Sequence, residues 1–171
     1  MLRNICIKDF KENVFDLISK ETMLITAGTP SNCNTMTASW GFMGEMWAKE
    51  CVAAVVRPQR HTMSYIDNSE YFTLCFMGTD ERAKQIHKVC GFTSGRDVNK
   101  IEKANLTPMG DDKCTYFDEA RLVIICKKLY CAPLDENGFA DKSIIESCYK
   151  DNDFHNVVIG SIERIFVKED A

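Results

Sequence analysis

The segment Asn34-Thr35-Met36-Thr37-Ala38-Ser39-Trp40-Gly41 gathers an amide, three hydroxyls and an indole within eight residues. It is too polar for a core strand and follows a cluster of turn residues, so it reads as a surface that holds a ligand. Two further segments, Arg57-Pro58-Gln59-Arg60-His61-Thr62 and Ser94-Gly95-Arg96-Asp97-Val98-Asn99-Lys100, each have the make-up of a phosphate cradle. An arginine offers a planar fork of N–H donors that matches a phosphate edge. The three segments together suggest an aromatic, phosphorylated cofactor.

In the first cradle, Pro58 fixes its own φ and biases Arg57 toward extended geometry, so a strand can end with Arg57 aimed at a ligand and Arg60 entering the next turn. Thr35, Thr37, Ser39 and Thr62 add neutral donors for phosphate or ring carbonyl oxygens. The alternative is a pair of solvated arginines on a surface turn. The second cradle sets glycines, hydroxyls and Arg96 just before a helix start, where free N–H groups and the helix dipole favour an anion, with Lys100 one turn in. Its alternative is a loop in which Gly95 supplies a positive φ, Asp97 caps the helix and Arg96 is solvated. Trp40 and Trp47 bracket a methionine-rich turn, Gly41–Met46, that suits the wall of a flat ring, a subunit interface or the plug of a barrel.

The remaining reactive side chains form no constellation. His61, His87 and His155 are scattered, without triad order or metal-ligand spacing, and read as structural or solvated. Asp80-Glu81 and Asp111-Asp112 read as helix-start and loop charges, and Cys33 as an incidental thiol. The lack of an acid–base pair suits cofactor chemistry, in which the protein supplies position and solvent exclusion.

A chain of 171 residues with 45% hydrophobic and 27% charged residues fits one globular domain spanning residues 1–171. Its net charge of -4 argues against generic nucleic-acid or anionic-membrane binding, so an anion site must be local. Nine cysteines without a Cys-x-x-Cys pair, several inside apolar runs, point to reduced thiols and a cytoplasmic location. Neither a signal peptide nor an apolar run of about 18 residues is present, so neither export nor a membrane span is expected.

The elements that must position these residues follow from periodicity. Phe10, Val14, Leu17 and Ile18 mark an amphipathic helix through Lys20, and Thr22–Ala27 a strand ended by Gly28–Asn32. Glu50–Val56 and Tyr71–Phe76 are strands, with helical turns over Thr62–Asn68 between them. Ala83, Ile86 and Cys90 mark a second helix stopped by Gly91, and Asp97 caps a third through Lys100–Ala104. Arg121–Cys131 and Val157–Val167 are long β-branched strands flanking a charged segment, Pro133–Asp153. Strands interrupted by short helices without regular alternation predict a mainly β fold, a closed or partly closed antiparallel barrel with helical decoration.

At the three motifs, the sequence resembles the flavin reductase-like, FMN-binding split-barrel family, in its flavoredoxin-type branch. The resemblance implies a Greek-key antiparallel split barrel that forms a homodimer, with non-covalent FMN near the dimer interface. Asn34, Thr35, Met36, Thr37, Ala38 and Ser39 would follow the isoalloxazine and ribityl chain, with Trp40 beside them. Arg57, Arg60 and Thr62 would help hold the phosphate or ribityl, and Ser94, Gly95, Arg96 and Lys100 would complete the anion site. His61 departs from the aromatic residue, such as tyrosine, expected at its position. The implied activity is electron transfer through FMN from NAD(P)H or a protein donor to a flavin or protein acceptor, with NAD(P)H a transient substrate and a ferredoxin-like or flavin electron partner. No Gly-x-Gly-x-x-Gly run follows a strand, so a nicotinamide would bind only transiently over the flavin.

Overall fold

The computed structural model of the chain describes residues 1–169. In chain order the first elements are β1 (Leu2–Ile5), a 3-10 turn at Ile7–Asp9, α1 (Val14–Asp16) continuing as a π turn over Leu17–Glu21, β2 (Met23–Thr29), β3 (Asn32–Ala38), β4 (Gly41–Met46) and β5 (Lys49–Val56). Then come α2 (His61–Asn68), β6 (Tyr71–Phe76), α3 (Glu81–Phe92), α4 (Lys100–Lys103), β7 (Pro108–Gly110), β8 (Thr115–Phe117) and β9 (Leu122–Pro133). A 3-10 turn at Glu136–Gly138, α5 (Ser143–Cys148) and β10 (Asn156–Lys168) complete the chain.

The main sheet is antiparallel throughout and runs β3-β2-β6-β9-β10-β5-β4, with β1 added on β10. β3 and β4 are neighbours in sequence yet sit at opposite ends of that order, so the curled sheet is left with an open seam. This is a Greek-key split barrel, as the resemblance implies.

β9 shows why the long apolar runs are strands buried on both faces. Leu122, Ile124 and Cys126 belong to the barrel core with Met23, Ile25, Phe72 and Leu74, whereas Val123 and Ile125 belong to a second core under α3 with Ala83, Ile86 and Cys90. Period-2 alternation gives each face its own partners, so no polar position remains to break the run.

Four local expectations change. The segment too polar for a core strand is nevertheless a strand, β3, which tolerates its polarity because only one of its edges is paired, Asn34 to Ala27 and Met36 to Ile25 on β2. The cap of α4 is Asn99, whose Oδ1 accepts from the N–H groups of Ile101 and Glu102, rather than Asp97. Gly91 does not stop α3, which runs on to Phe92. The Gly41–Met46 turn is likewise a strand, and the chain reverses at Trp47 and Ala48, both with positive φ (57° and 54°), between Met46 and its partner Lys49. That geometry is the two-residue turn whose twist matches the flanking strands.

Candidate cofactor site

The site lies at the open seam, between β3 and the end of β5 that runs past β4. One edge of β3 bonds to β2, and its other edge leaves alternate backbone N–H and C=O groups free of the sheet. Beside it lies a cavity of about 270 Å³ lined by Met36, Thr37, Ala38, Ser39, Trp40, Val55, Arg57, Arg60 and His155. A flat, polar-edged ring laid there would meet backbone donors along one side.

Hydrogen bonds join the three motifs into one structure. Thr62 Oγ1 donates to Asn34 Oδ1 at 2.9 Å, tying α2 to β3. Arg96 Nη1 donates to the Gln59 carbonyl at 2.9 Å, so the two arginine segments touch directly. The loop carrying Ser94 and Gly95 packs on the Asn34 amide: a Cβ on Gly95 would lie 2.9 Å from Asn34 Cγ. Gly95 is therefore needed for close approach; the glycines with positive φ are Gly28, Gly78 and Gly110. Asn34, Gly95, Arg96 and Lys100 also line a separate groove of about 650 Å³ with Cys33 and Tyr65.

The electrostatics of the junction are one-sided. Lys100, only 4% exposed, donates from Nζ to the Cys90 carbonyl at 3.2 Å, and Arg60 donates to the carbonyls of Cys90 and Gly91 at 3.4 and 2.9 Å. Two full cations thus meet the C-terminal end of α3, which carries only about half a negative charge. Arg60, Arg96 and Lys100 have no carboxylate partner among the described residues. Burial, with the Arg60 charge adding to it and Cys90 opposing, pushes the Lys100 ammonium down to about 8. Buried charges are normally paired, so this cluster has the donor set and the excess charge to hold a phosphate.

The other predicted residues are placed differently. Thr35 is fully buried and bonds within the β2–β3 pair, accepting from Thr26 and donating to the Ile25 carbonyl. Thr37 turns its hydroxyl away from the seam, to the His87 carbonyl. Ser94 Oγ accepts from the Arg96 N–H within its own loop. Arg57 is engaged by an ion pair with Asp153 and by the Cys148 carbonyl at 2.9 Å, so its guanidinium braces the 134–153 segment. Trp47 sits at the tip of the β4–β5 turn and does not line the cavity.

His155 was missed by the sequence reading. It is 9% exposed, bonds through Nδ1 to Tyr149 Oη at 3.0 Å and lies 5.2 Å from the Trp40 ring across the cavity mouth. Burial, reinforced by Arg57, lowers its pKa, so it is held neutral. The signal that could have found it is the aromatic spacing Phe139, Tyr149, Phe154, since these rings pack into one cluster that presents His155. No group of histidine, cysteine and carboxylates among the described residues is arranged to hold a metal.

An open-seamed antiparallel barrel with an anion cradle beside its free strand defines a flavin reductase-like split barrel. The chain belongs to that family: the family described as "Flavin reductase like domain" matches residues 15–171. Among curated proteins no sequence matches. Among solved structures, the chain is similar to a flavoredoxin from Methanosarcina acetivorans (TM-score 0.68, 15% identity, covering 94% of this chain and 75% of that one). It is also similar to an FMN-binding domain of a flavin reductases-like enzyme from Shewanella baltica OS155 (0.66, 13%, 98% and 77%). A third is the flavoredoxin of Desulfovibrio vulgaris (Miyazaki F) (0.64, 17%, 96% and 78%). At these identities the likeness speaks for the fold alone.

Proposed function

We propose that this protein is an FMN-binding redox flavoprotein of flavoredoxin or flavin reductase type. The observation that carries this reading is the buried Lys100 beside half-buried Arg60, neither with a carboxylate partner among the described residues, with Arg96 nearby and the free edge of β3 alongside. The phosphate would lie against these cations, and the ring along Met36–Trp40 with the backbone of β3 at its polar edge. Bound FMN supplies reversible hydride and single-electron chemistry. The chain's own contribution is to bind, to orient the ring through backbone donors, and to exclude water with Trp40 and His155.

NAD(P)H or a protein is the electron donor in this reading, and a flavin or protein the acceptor. Nine free cysteines, several of them in the core, favour the reducing cytoplasm. No helix among the described residues is long and apolar enough to cross a membrane. The cavity of about 270 Å³ is smaller than the usual 300 to 1,000 Å³ of a small-molecule site. Exposed Phe42, Met46 and Trp47 stand on the neighbouring β4–β5 hairpin, with exposed Trp40 just before it. We therefore assign the protein as a homodimer in which a second copy covers β4 and completes the groove.

The test has two stages. Purified protein reconstituted with FMN should bind it stoichiometrically and show the visible bands of bound flavin; a colourless protein that leaves FMN free rejects the reading. Anaerobic NADH or NADPH should then bleach those bands. Unbleached flavin that a reduced ferredoxin-like donor can reduce selects the electron carrier over the reductase, and flavin that no donor reduces leaves a binding module without turnover.

A further inference from the structure

Thr37 lies between two cavities. On one side is the seam described above. On the other is an open pocket of about 560 Å³ lined by Lys20, Glu21, Thr22, Gly78, Lys84, His87, Lys88 and Phe92 among others. The Thr37 hydroxyl donates to the His87 carbonyl at 2.8 Å, and its oxygen also lies 3.3 Å from His87 Nδ1. Since the hydroxyl proton is committed to the carbonyl, the oxygen faces Nδ1 with a lone pair. Thr22 Oγ1 is likewise 3.3 Å from Nδ1, presented from a residue held at φ 63°. The other ring nitrogen, Nε2, is buried without a hydrogen-bond partner.

We propose that His87 is a positioning residue for the cofactor seam: as a neutral imidazole it fixes Thr37, and through Thr37 the course of β3 beside the ring, and on protonation it releases them. The inference rests on the FMN reading above. Neutral His87, with its proton on Nδ1 facing the two threonine oxygens, leaves only the Nε2 lone pair without a partner. The imidazolium carries a second N–H, at Nε2, where no acceptor exists, and a buried donor without a partner is costly. The packing of α3 on β3 must then open to solvate it. Contact there is close, since a Cβ on Gly91 would sit 3.5 Å from Thr37 Cβ.

Burial favours neutral His87, against the pull of the one charge that acts on it, Glu21. Lys84 and Lys88 on α3 and Lys20 on the π turn line the same pocket, Lys20 paired with Asp16 and Lys84 near Glu81. Glu21, the nearest carboxylate, is itself tied to Arg121 and to the Gly78 N–H at the head of the next loop. Burial lowers the His87 pKa and Glu21 only partly restores it. FMN affinity should therefore fall as pH drops through the region below the ordinary histidine value of 6.5.

The measurement is the FMN Kd from pH 7.5 to 5.0 for the wild type, His87→Asn and His87→Leu, with folding checked by circular dichroism at each pH. The FMN phosphate titrates near pH 6 in all three, so only differences between the curves count. His87→Asn keeps a polar atom near the Nδ1 position. It should match the wild type within about twofold at pH 7.5 and lose the extra acid weakening, which amounts to about tenfold for one unit of coupled pKa shift. His87→Leu should bind about 2- to 10-fold more weakly at pH 7.5, as for a lost hydrogen bond. In the wild type, FMN should also lower the His87 pKa read by NMR. Parallel curves for all three proteins, or a His87 pKa indifferent to FMN, overturn the inference. Wild type that binds no FMN at pH 7.5 instead overturns the functional reading, and the inference with it.

Discussion

Arg60 and Lys100 donate to one and the same acceptor, the Cys90 carbonyl, at 3.4 and 3.2 Å. The two side chains come from segments forty residues apart in the chain (60 and 100), and neither has a carboxylate within ion-pair reach among the described residues. A folded protein tolerates such a cation pair at a cost in stability. The same cost becomes affinity when an anion arrives.

Replacing the buried ammonium separates these effects. Lys100→Met should raise the melting temperature of the FMN-free protein by about 2 to 4 °C per kcal/mol gained. It should weaken FMN about 10- to 100-fold, the cost of a lost hydrogen bond to a charged group. Riboflavin, which lacks the phosphate, should bind both proteins equally. A loss of riboflavin affinity as large as that for FMN would place the phosphate elsewhere, and Arg96→Ala should behave as Lys100→Met does toward the two ligands.

The pH dependence has a defined sign. Lys100 titrates at about 8 in the folded chain, below its ordinary 10.5. A bound phosphate favours the ammonium, so FMN Kd should climb above pH 8 by up to tenfold per unit, with proton uptake on binding measurable by calorimetry in two buffers. Without FMN, the unfolded chain binds the extra proton between pH 8 and 10.5. Stability should thus rise across that window by up to roughly 3 kcal/mol relative to Lys100→Met. A wild type and variant with the same stability profile would contradict it.

Gly95→Ala tests the contact between the second cradle and β3. The new methyl meets Asn34, whose amide is held by Thr62, so the loop or the Asn34–Thr62 bond must give. A destabilisation of about 1 to 3 kcal/mol is expected from chemical denaturation, as for other overpacked sites. FMN should bind more weakly in parallel. Gly138→Ala, where a Cβ meets nothing within 4 Å, is the control and should change neither.

The β4 face is tested by making it polar. Phe42, 59% exposed, and Trp47, 53% exposed, stand on one hairpin. Phe42→Ser with Trp47→Ser should convert a dimer to a monomer in light scattering while leaving the far-UV spectrum intact. FMN affinity should drop with the dimer if a second copy completes the groove. A wild type that is monomeric at micromolar concentration would refute the assembly.

Much of this fold was legible because its signals are local. Tyr71–Phe76, Arg121–Cys131 and Val157–Val167 were visible as strands from β-branched content and alternation, and each matches an observed element within two residues at either end. The β3 segment reads as a surface that holds a ligand because its polarity conflicts with a core strand. Its place at the sheet edge, which resolves the conflict, is decided by pairing with β2 and by nothing in its own composition. Asp97 and Asn99 are equally good caps on paper, and the path of the loop chose between them.

By itself, the sequence determined a mainly β chain, three polar and cationic motifs, and the family they resemble, since residue type and short-range spacing suffice for these. Only the tertiary structure decided what each motif residue touches. It turned Arg57 inward to Asp153, buried Lys100 without a counter-charge, set His155 against Trp40 and joined Thr37 to His87. Those relationships depend on segments 40 to 115 residues apart being packed together, and burial, which sets both the cost of a charge and the need for its partner, exists only once they are.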